Sequence, residues 1–201
     1  MGTTAFAARG HDLALAQRAA EGDRSAQREL FQAQKSSVHH TLYRILGANR
    51  DIEDLIQDAF LEIFRALPSF RGDSSLSRWC QTIATRQAYL AIERRKPTAV
   101  DLEVVENEVV DRDPDAHRVA LARQAAKRLY AALERLDPKM RIAFALNVID
   151  GLSLAEVAEL TESSLVATKT RVWRARRELM KRAQKDPILA SYLADLGGGA
   201  E

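Results

Sequence analysis

One cysteine, Cys80, is the whole thiol content of 201 residues. That excludes an intramolecular disulfide and a metal site built on a cysteine pair; its apolar surroundings predict a buried thiol. No apolar run reaches the length of a membrane span, and the opening MGTTAFAARGHDLALAQRAAEG lacks a signal-peptide core. Gly2 followed by Thr3 is too little to argue myristoylation. The expectation is a cytoplasmic protein without membrane insertion. His11, His39, His40 and His117 have no partners at catalytic or ligand spacing, and no glycine-rich phosphate loop occurs. Glu53, Asp54 and Asp58 could form one acidic edge of a metal site, but no second ligand cluster supports it. No enzyme, cofactor or metal is therefore expected. Net charge is also small, +2, so its placement along the chain matters more than its total.

The strongest positive signal lies in residues 151–179, GLSLAEVAELTESSLVATKTRVWRARREL. Ser153 and Glu156 form an S-x-x-E capping box, and Leu154, Val157, Ala158 and Leu160 give the following helix an apolar face. Thr161, Glu162 and Ser163 make a turn, and Ser164 is placed to cap a second helix. Leu165, Thr168, Val172, Ala175 and Leu179 follow helical spacing along one side of it. Ala167, Lys169, Thr170, Arg171 and Arg174 lie mainly around the other. Between Lys169 and Lys185 stand eight basic residues against Glu178 alone. Two short helices about a tight turn, the second basic outward, are the helix-turn-helix signature.

The rest of the chain divides around an acidic segment. Residues 1–10 read as frayed. A helical pattern from Asp12 to Ala33 is interrupted at Gly22-Asp23, so one broken helix or two are open, and Val38, Leu42, Ile45 and Leu46 mark a further helix stopped by Gly47. Ile52, Leu55, Ile56, Ala59, Phe60, Ile63, Phe64 and Leu67 form a strong stripe that ends before Pro68. After the loop SFRGDSS, a long helix from Leu76 to Arg94 ends before Pro97. These helices predict a first domain over 10–97 with a single core. Residues 98–115 hold seven acids and one base and read as a linker, whose acids could dock on a basic face. A second domain, 116–185, opens with a helix whose inner face is Val119, Ala122, Leu129 and Leu133. Asp137 and Pro138 begin the next one, with Ile142, Ala143, Leu146 and Ile149 inward. A tail, 186–201, adds a short helix. The predicted class is all-α, two small helical domains joined by an acidic linker.

Two surfaces of the first domain suggest partners. Asp54, Gln57, Asp58 and Leu61 recur at three and four and share an outward edge, suited to a basic protein surface, although acids early in a helix also serve its dipole. Phe70, Arg71, Arg78, Arg86, Arg94 and Arg95, with Tyr89, interleave cations and rings, which suits unpaired bases. Trp79 reads as core; Phe70 reads as the ring that touches a base.

Together these segments resemble the extracytoplasmic-function group of the sigma-70 family of bacterial RNA polymerase sigma factors. Residues 51–84 are similar to its region 2, with Phe70-Arg71-Gly72 and Ser75 to Trp79 in its F-R-G and S-F-x-x-W run. Residues 133–179 are similar to region 4, whose helix-turn-helix reads the promoter −35 element. The resemblance implies that Asp54, Gln57, Asp58 and Leu61 bind the β′ clamp helices of core polymerase. It implies that the loop and helix from Phe70 to Arg95 recognise and open the −10 element, and that Ser164, Ala167, Lys169, Thr170, Arg171 and Arg174 meet −35 duplex DNA while the domain packs on the β flap. RNA synthesis belongs to the core enzyme, and many members are held inactive by an anti-sigma factor.

This chain departs from the family pattern at four places. Arg86 stands where Asn is usual, Leu90 where Asp is, and Glu162 where a turn glycine is. Val166-Ala167-Thr168 replaces Gly-Thr-Val, so a −35 preference cannot be transferred. A left-handed Glu162 would carry strain, or the turn differs. Two rivals to a sigma factor remain at this level: a stand-alone helix-turn-helix regulator that binds duplex DNA alone, and a module that only sequesters protein partners.

Overall fold

The computed structural model describes residues 2–48, 51–94 and 114–197. Helix α1 (Gly2–Ala20) and α2 (Arg24–Leu46) are separate. Gly22 takes φ +93° between them, and the Asp23 carboxylate accepts from the Ser25 and Ala26 amides while the Arg18 guanidinium bonds its other oxygen at 2.7 Å. This cap starts α2. The backbone of α1 is already helical at Gly2, where fraying is expected from sequence. Helix α2 runs unbroken through Ser36-Ser37, because Leu30, Gln34, Val38, Thr41, Leu42 and Ile45 hold one buried side. The helix predicted around Val38 is its second half.

Helix α3 (Ile52–Ala66) buries Ile56, Ala59, Phe60 and Ile63 and passes into a single tight turn, Leu67–Ser69, at Pro68. Helix α4 (Leu76–Arg94) begins under two caps: Ser75 Oγ accepts from the Arg78 amide at 3.2 Å, and Asp12 of α1 accepts from the Leu76 amide at 2.9 Å. Helices α1 to α4 surround a core of Leu15, Leu30, Leu42, Ile45, Phe60, Ile63, Leu76 and Cys80. Burial pushes the Cys80 thiol up to about 12, so it is inert at neutral pH.

Helix α5 (Pro114–Leu133) starts two residues before the expected boundary. Its inner face is Ala125, Leu129, Ala132 and Leu133, whereas Val119 is exposed and Ala122 also faces solvent. The predicted stripe thus holds only in the half of α5 that packs on α8 (Leu165–Ala183) and α9 (Pro187–Gly197). Helix α6 (Pro138–Phe144) starts at Asp137, whose carboxylate accepts from Lys139 and Met140, and continues as a π turn, Ala145–Ile149. Helix α7 (Leu154–Leu160) precedes α8.

The halves do not keep separate cores. Arg141 to Leu146 are all buried, so the second half of α6 and the start of the π turn are enclosed on every side. Phe144 joins Leu129, Leu133, Ala175, Leu179 and Leu189 in a small core. Ile142, Ala143, Leu146, Val157, Leu160 and Val172 instead complete the core of the first half.

The C-terminal end of α2 shows what holds them together. Arg141, 2% exposed, donates to the Ile45 carbonyl at 3.0 Å and the Leu46 carbonyl at 3.2 Å. Tyr130 donates its hydroxyl to the Arg44 carbonyl at 3.0 Å. A helix leaves its last carbonyls without partners and its end partly negative; here residues about 90 positions away supply the donors. Gly47 ends α2 at φ +76°, and a Cβ there would stand 2.7 Å from the Tyr130 ring. His40 and Arg44 flank Asp150 at 2.5 and 3.5 Å, giving His40 a partner invisible to local spacing.

Candidate nucleic-acid interface

Helices α7 and α8 form the predicted helix-turn-helix. Ser153 and Glu156 make the reciprocal box: the Glu156 amide donates to Ser153 Oγ at 3.2 Å, and the Ser153 amide to Glu156 Oε2 at 2.9 Å. The bonds that the Glu156 carboxylate accepts from the Ser153 amide and the Ser153 hydroxyl, ahead of a weaker one from Arg78, hold this carboxyl below its ordinary range. Glu162 takes φ +47°, the left-handed conformation for which glycine is favoured. The turn is therefore kept and the substitution carries strain. A chain of hydroxyls braces it: Thr161 to Ser163 at 2.9 Å, Ser163 to Thr168 at 2.8 Å, and the Thr161 hydroxyl donating to the Val157 carbonyl at 2.7 Å. Thr168 is fully buried, and this chain satisfies its hydroxyl.

Ser164 caps α8 by accepting from the Ala167 amide at 3.2 Å. Thr168, Val172, Ala175 and Leu179 face inward as expected; Leu165 is exposed instead. Lys169, Thr170 and Arg174 are exposed together, while Ala167 and Arg171 are half-buried. Arg171 lines a groove with Tyr89, Leu90 and Lys139, on the side of α8 that faces α4. Val166, 77% exposed, and Trp173, 57% exposed, sit on the outer side, with the Arg177 guanidinium 5.4 Å from the Trp173 ring centre. Neither apolar residue follows from the basic pattern; their seven-residue spacing, two turns on one face, is the signal that finds them.

On α3, Asp54, Gln57, Asp58 and Leu61 are all exposed, opposite the buried Ile56, Ala59, Phe60 and Ile63. The predicted edge exists as a surface. The basic-aromatic segment is less open. Phe70 is 8% exposed and packs on Trp79 with ring centres 5.3 Å apart; the expectation of a free base-contacting ring is corrected, since Phe70 closes the core under the loop. Arg71 and Arg94 are exposed. Arg78 donates to Glu156 at 3.0 Å, and Arg86 chelates Glu162, with Nε donating at 3.2 Å. Arg95 and the acidic linker to residue 113 lie outside the described residues, as does its docking on a basic face.

The arrangement defines an all-helical, two-part DNA-binding protein: a helix-turn-helix with its basic face outward, packed on a helical bundle that bears an acidic edge and an arginine helix. Family models described as Sigma-70 region 2 and Sigma-70, region 4 match residues 30–98 and 126–179. The ECF RNA polymerase sigma-E factor of Escherichia coli (strain K12) is 28% identical over 181 residues, 86% of this chain and 94% of that protein. The sigma-E factor of Haemophilus influenzae is 28% identical over 86% of this chain and 95% of its own. Among solved structures, CnrH in complex with the cytosolic domain of CnrY shares the fold at TM-score 0.59 and 23% identity, covering 87% of this chain and 98% of that one. RpoE with the anti-sigma factor NepR from Bartonella quintana does so at TM-score 0.53 and 20% identity, covering 79% and 97%. The chain belongs to the sigma-70 family, as an alternative sigma factor of the extracytoplasmic-function group that directs promoter-specific transcription. No described helix is long and apolar enough to cross a membrane.

Proposed function

We propose that the surfaces divide the work of transcription initiation as follows. The α3 edge, Asp54, Gln57, Asp58 and Leu61, docks on the β′ clamp helices of core polymerase. The outer face of α8, Lys169, Thr170 and Arg174 with Val166 and Trp173, enters the −35 major groove, where arginine pairs with guanine and an apolar side chain meets a thymine methyl. Ser164 acts there by fixing the helix start, and Arg171 at the groove margin. Arg71 of the preceding loop, with Arg78, Arg86 and Arg94 of helix α4, holds the −10 strand as it opens; unstacking costs a few kcal/mol per step and is offset by phosphate contacts. The chain supplies no catalytic group, since bond formation belongs to the core. It acts in the cytoplasm, and the two solved neighbours, each bound to a second protein, support an anti-sigma partner.

The observation that carries this reading is the exposed basic face of α8 behind a correctly capped turn, in the same chain as the α3 edge. The test is reconstitution with core polymerase on a pool of promoter fragments. Start sites that depend on this chain are expected; specific duplex binding by a symmetric dimer without polymerase would instead favour a stand-alone regulator. Reversing Asp54 and Asp58 to Arg is expected to weaken core capture while helix content stays unchanged. Undiminished capture would remove the α3 assignment.

A further inference from the structure

Two of the arginines assigned to the −10 strand are already occupied by carboxylates of the helix-turn-helix. Arg78 bonds Glu156 at 3.0 Å and approaches Glu159 at 4.0 Å; Arg86 takes both oxygens of Glu162. The three acids stand at steps of three along α7 and its turn, so they span roughly 9 Å at 1.5 Å per residue. A nucleic-acid strand presents one charge per roughly 3.4 Å, so this acidic edge offers a comparable density. Arg86 and Glu162, 76 residues apart, are moreover two of the positions at which this chain departs from its family's pattern, and they meet each other.

We infer that Glu156, Glu159 and Glu162 stand in for the phosphates of the −10 strand, so that the free chain is held closed and a promoter strand must displace its own helix-turn-helix from α4. This rests on the sigma-factor reading above. The geometry of a promoter requires the displacement: −35 and −10 elements lie roughly 25 base pairs apart, roughly 85 Å at 3.4 Å per pair, whereas here α7 packs directly on α4. Leu160 and Ile142 share the core with Ile83 and Ala84, which makes the closed state persistent; the ion pairs select what opens it. The outer face of α8 stays free throughout, so duplex at −35 has access before the −10 arginines do.

The test uses the full chain without polymerase. Binding of a single-stranded −10 oligonucleotide is measured at low salt for the wild type and for Glu156→Gln, Glu159→Gln, Glu162→Gln combined; glutamine preserves the capping box. The triple variant is expected to bind about tenfold more tightly, as exposed pairs are released, and to show a larger radius in small-angle scattering. Glu162→Gly, which also relieves the left-handed strain, is expected to bind about threefold more tightly and guards against misfolding of the triple variant. Unchanged or weaker binding in both overturns the inference, as does expansion without tighter binding. Failure of the sigma-factor reading registers separately, as no promoter-dependent transcription by the wild type with core enzyme.

Discussion

Helices α4 and α8 are each 19 residues long, and each sets arginines beside aromatic rings. They are in opposite states. On α8 the inward positions are Thr168, Val172, Ala175 and Leu179, and Lys169, Arg174 and Arg177 turn to solvent. On α4 the inward positions are Leu76, Cys80, Ile83, Ala84 and Ala88, but Arg78 and Arg86 fall between that face and α7, where acids meet them. The same chemistry is thus available on one helix and engaged on the other. Whether a basic helix can hold nucleic acid depends on whether a carboxylate of its own chain is nearer, and a cation count along the sequence does not contain that information.

The largest expected effect comes from breaking the seam that holds the halves together. Gly47→Ala forces a side chain onto φ +76° and into the Tyr130 ring at 2.7 Å. Left-handed strain and overpacking together should cost about 2–4 kcal/mol, read as a lower midpoint in chemical denaturation. In a Tyr130→Ala background the added cost should fall to about 1–2 kcal/mol, the backbone component alone. Equal losses in both backgrounds would mean that Tyr130 does not set the approach of α5 to α2.

Next is the contrast within α8. Arg174 lies on the outer face and Arg171 in the groove toward α4. Arg174→Ala should cost about 1–3 kcal/mol of −35 discrimination, measured as the ratio of transcription from matched and scrambled −35 templates. Arg171→Ala should cost less. A larger loss for Arg171 would turn the reading face by about a sixth of the helix circumference.

These cases show what the sequence carries. The caps at Asp137, Ser153 and Ser164 are written in a few consecutive residues, and all three form as expected. The buried stripe of α3 is equally local. Val119 and Leu165 match a helical period yet stay exposed. Phe70 is placed by its loop folding back onto Trp79, and His40 acquires Asp150 from 110 residues away. Periodicity states which side of a helix is apolar; it does not state what arrives there. The α3 edge was legible because acids with a single exposed leucine repeat at helical spacing.

A smaller effect separates the cap of α8 from its reading face. Ser164→Ala removes the acceptor of the Ala167 amide and should cost about 1 kcal/mol of stability. Promoter preference should be retained once protein concentration is adjusted for the folded fraction, measured with the same template pair. A changed base preference would show that Ser164 touches DNA itself.

The smallest expected effect is a pH dependence confined to the α4 side. Glu156 titrates below its ordinary 4.5, chiefly through bonds from the Ser153 amide and hydroxyl and secondarily through Arg78. A depressed carboxylate favours the folded state above the unfolded value, and that contribution is lost as pH falls through the lower folded value. Acidification below 4.5 should therefore weaken the cap at the start of α7 first and, to a smaller extent, its contact with Arg78 of α4. Following the Glu156 side-chain carbonyl by NMR tests the order of causes. Ser153→Ala keeps the amide and removes only the hydroxyl bond, so it should return the midpoint part of the way toward the ordinary value, and Arg78→Ala should move it less. If Arg78→Ala moves it more, the capping box is secondary and the grip of α4 governs this carboxylate.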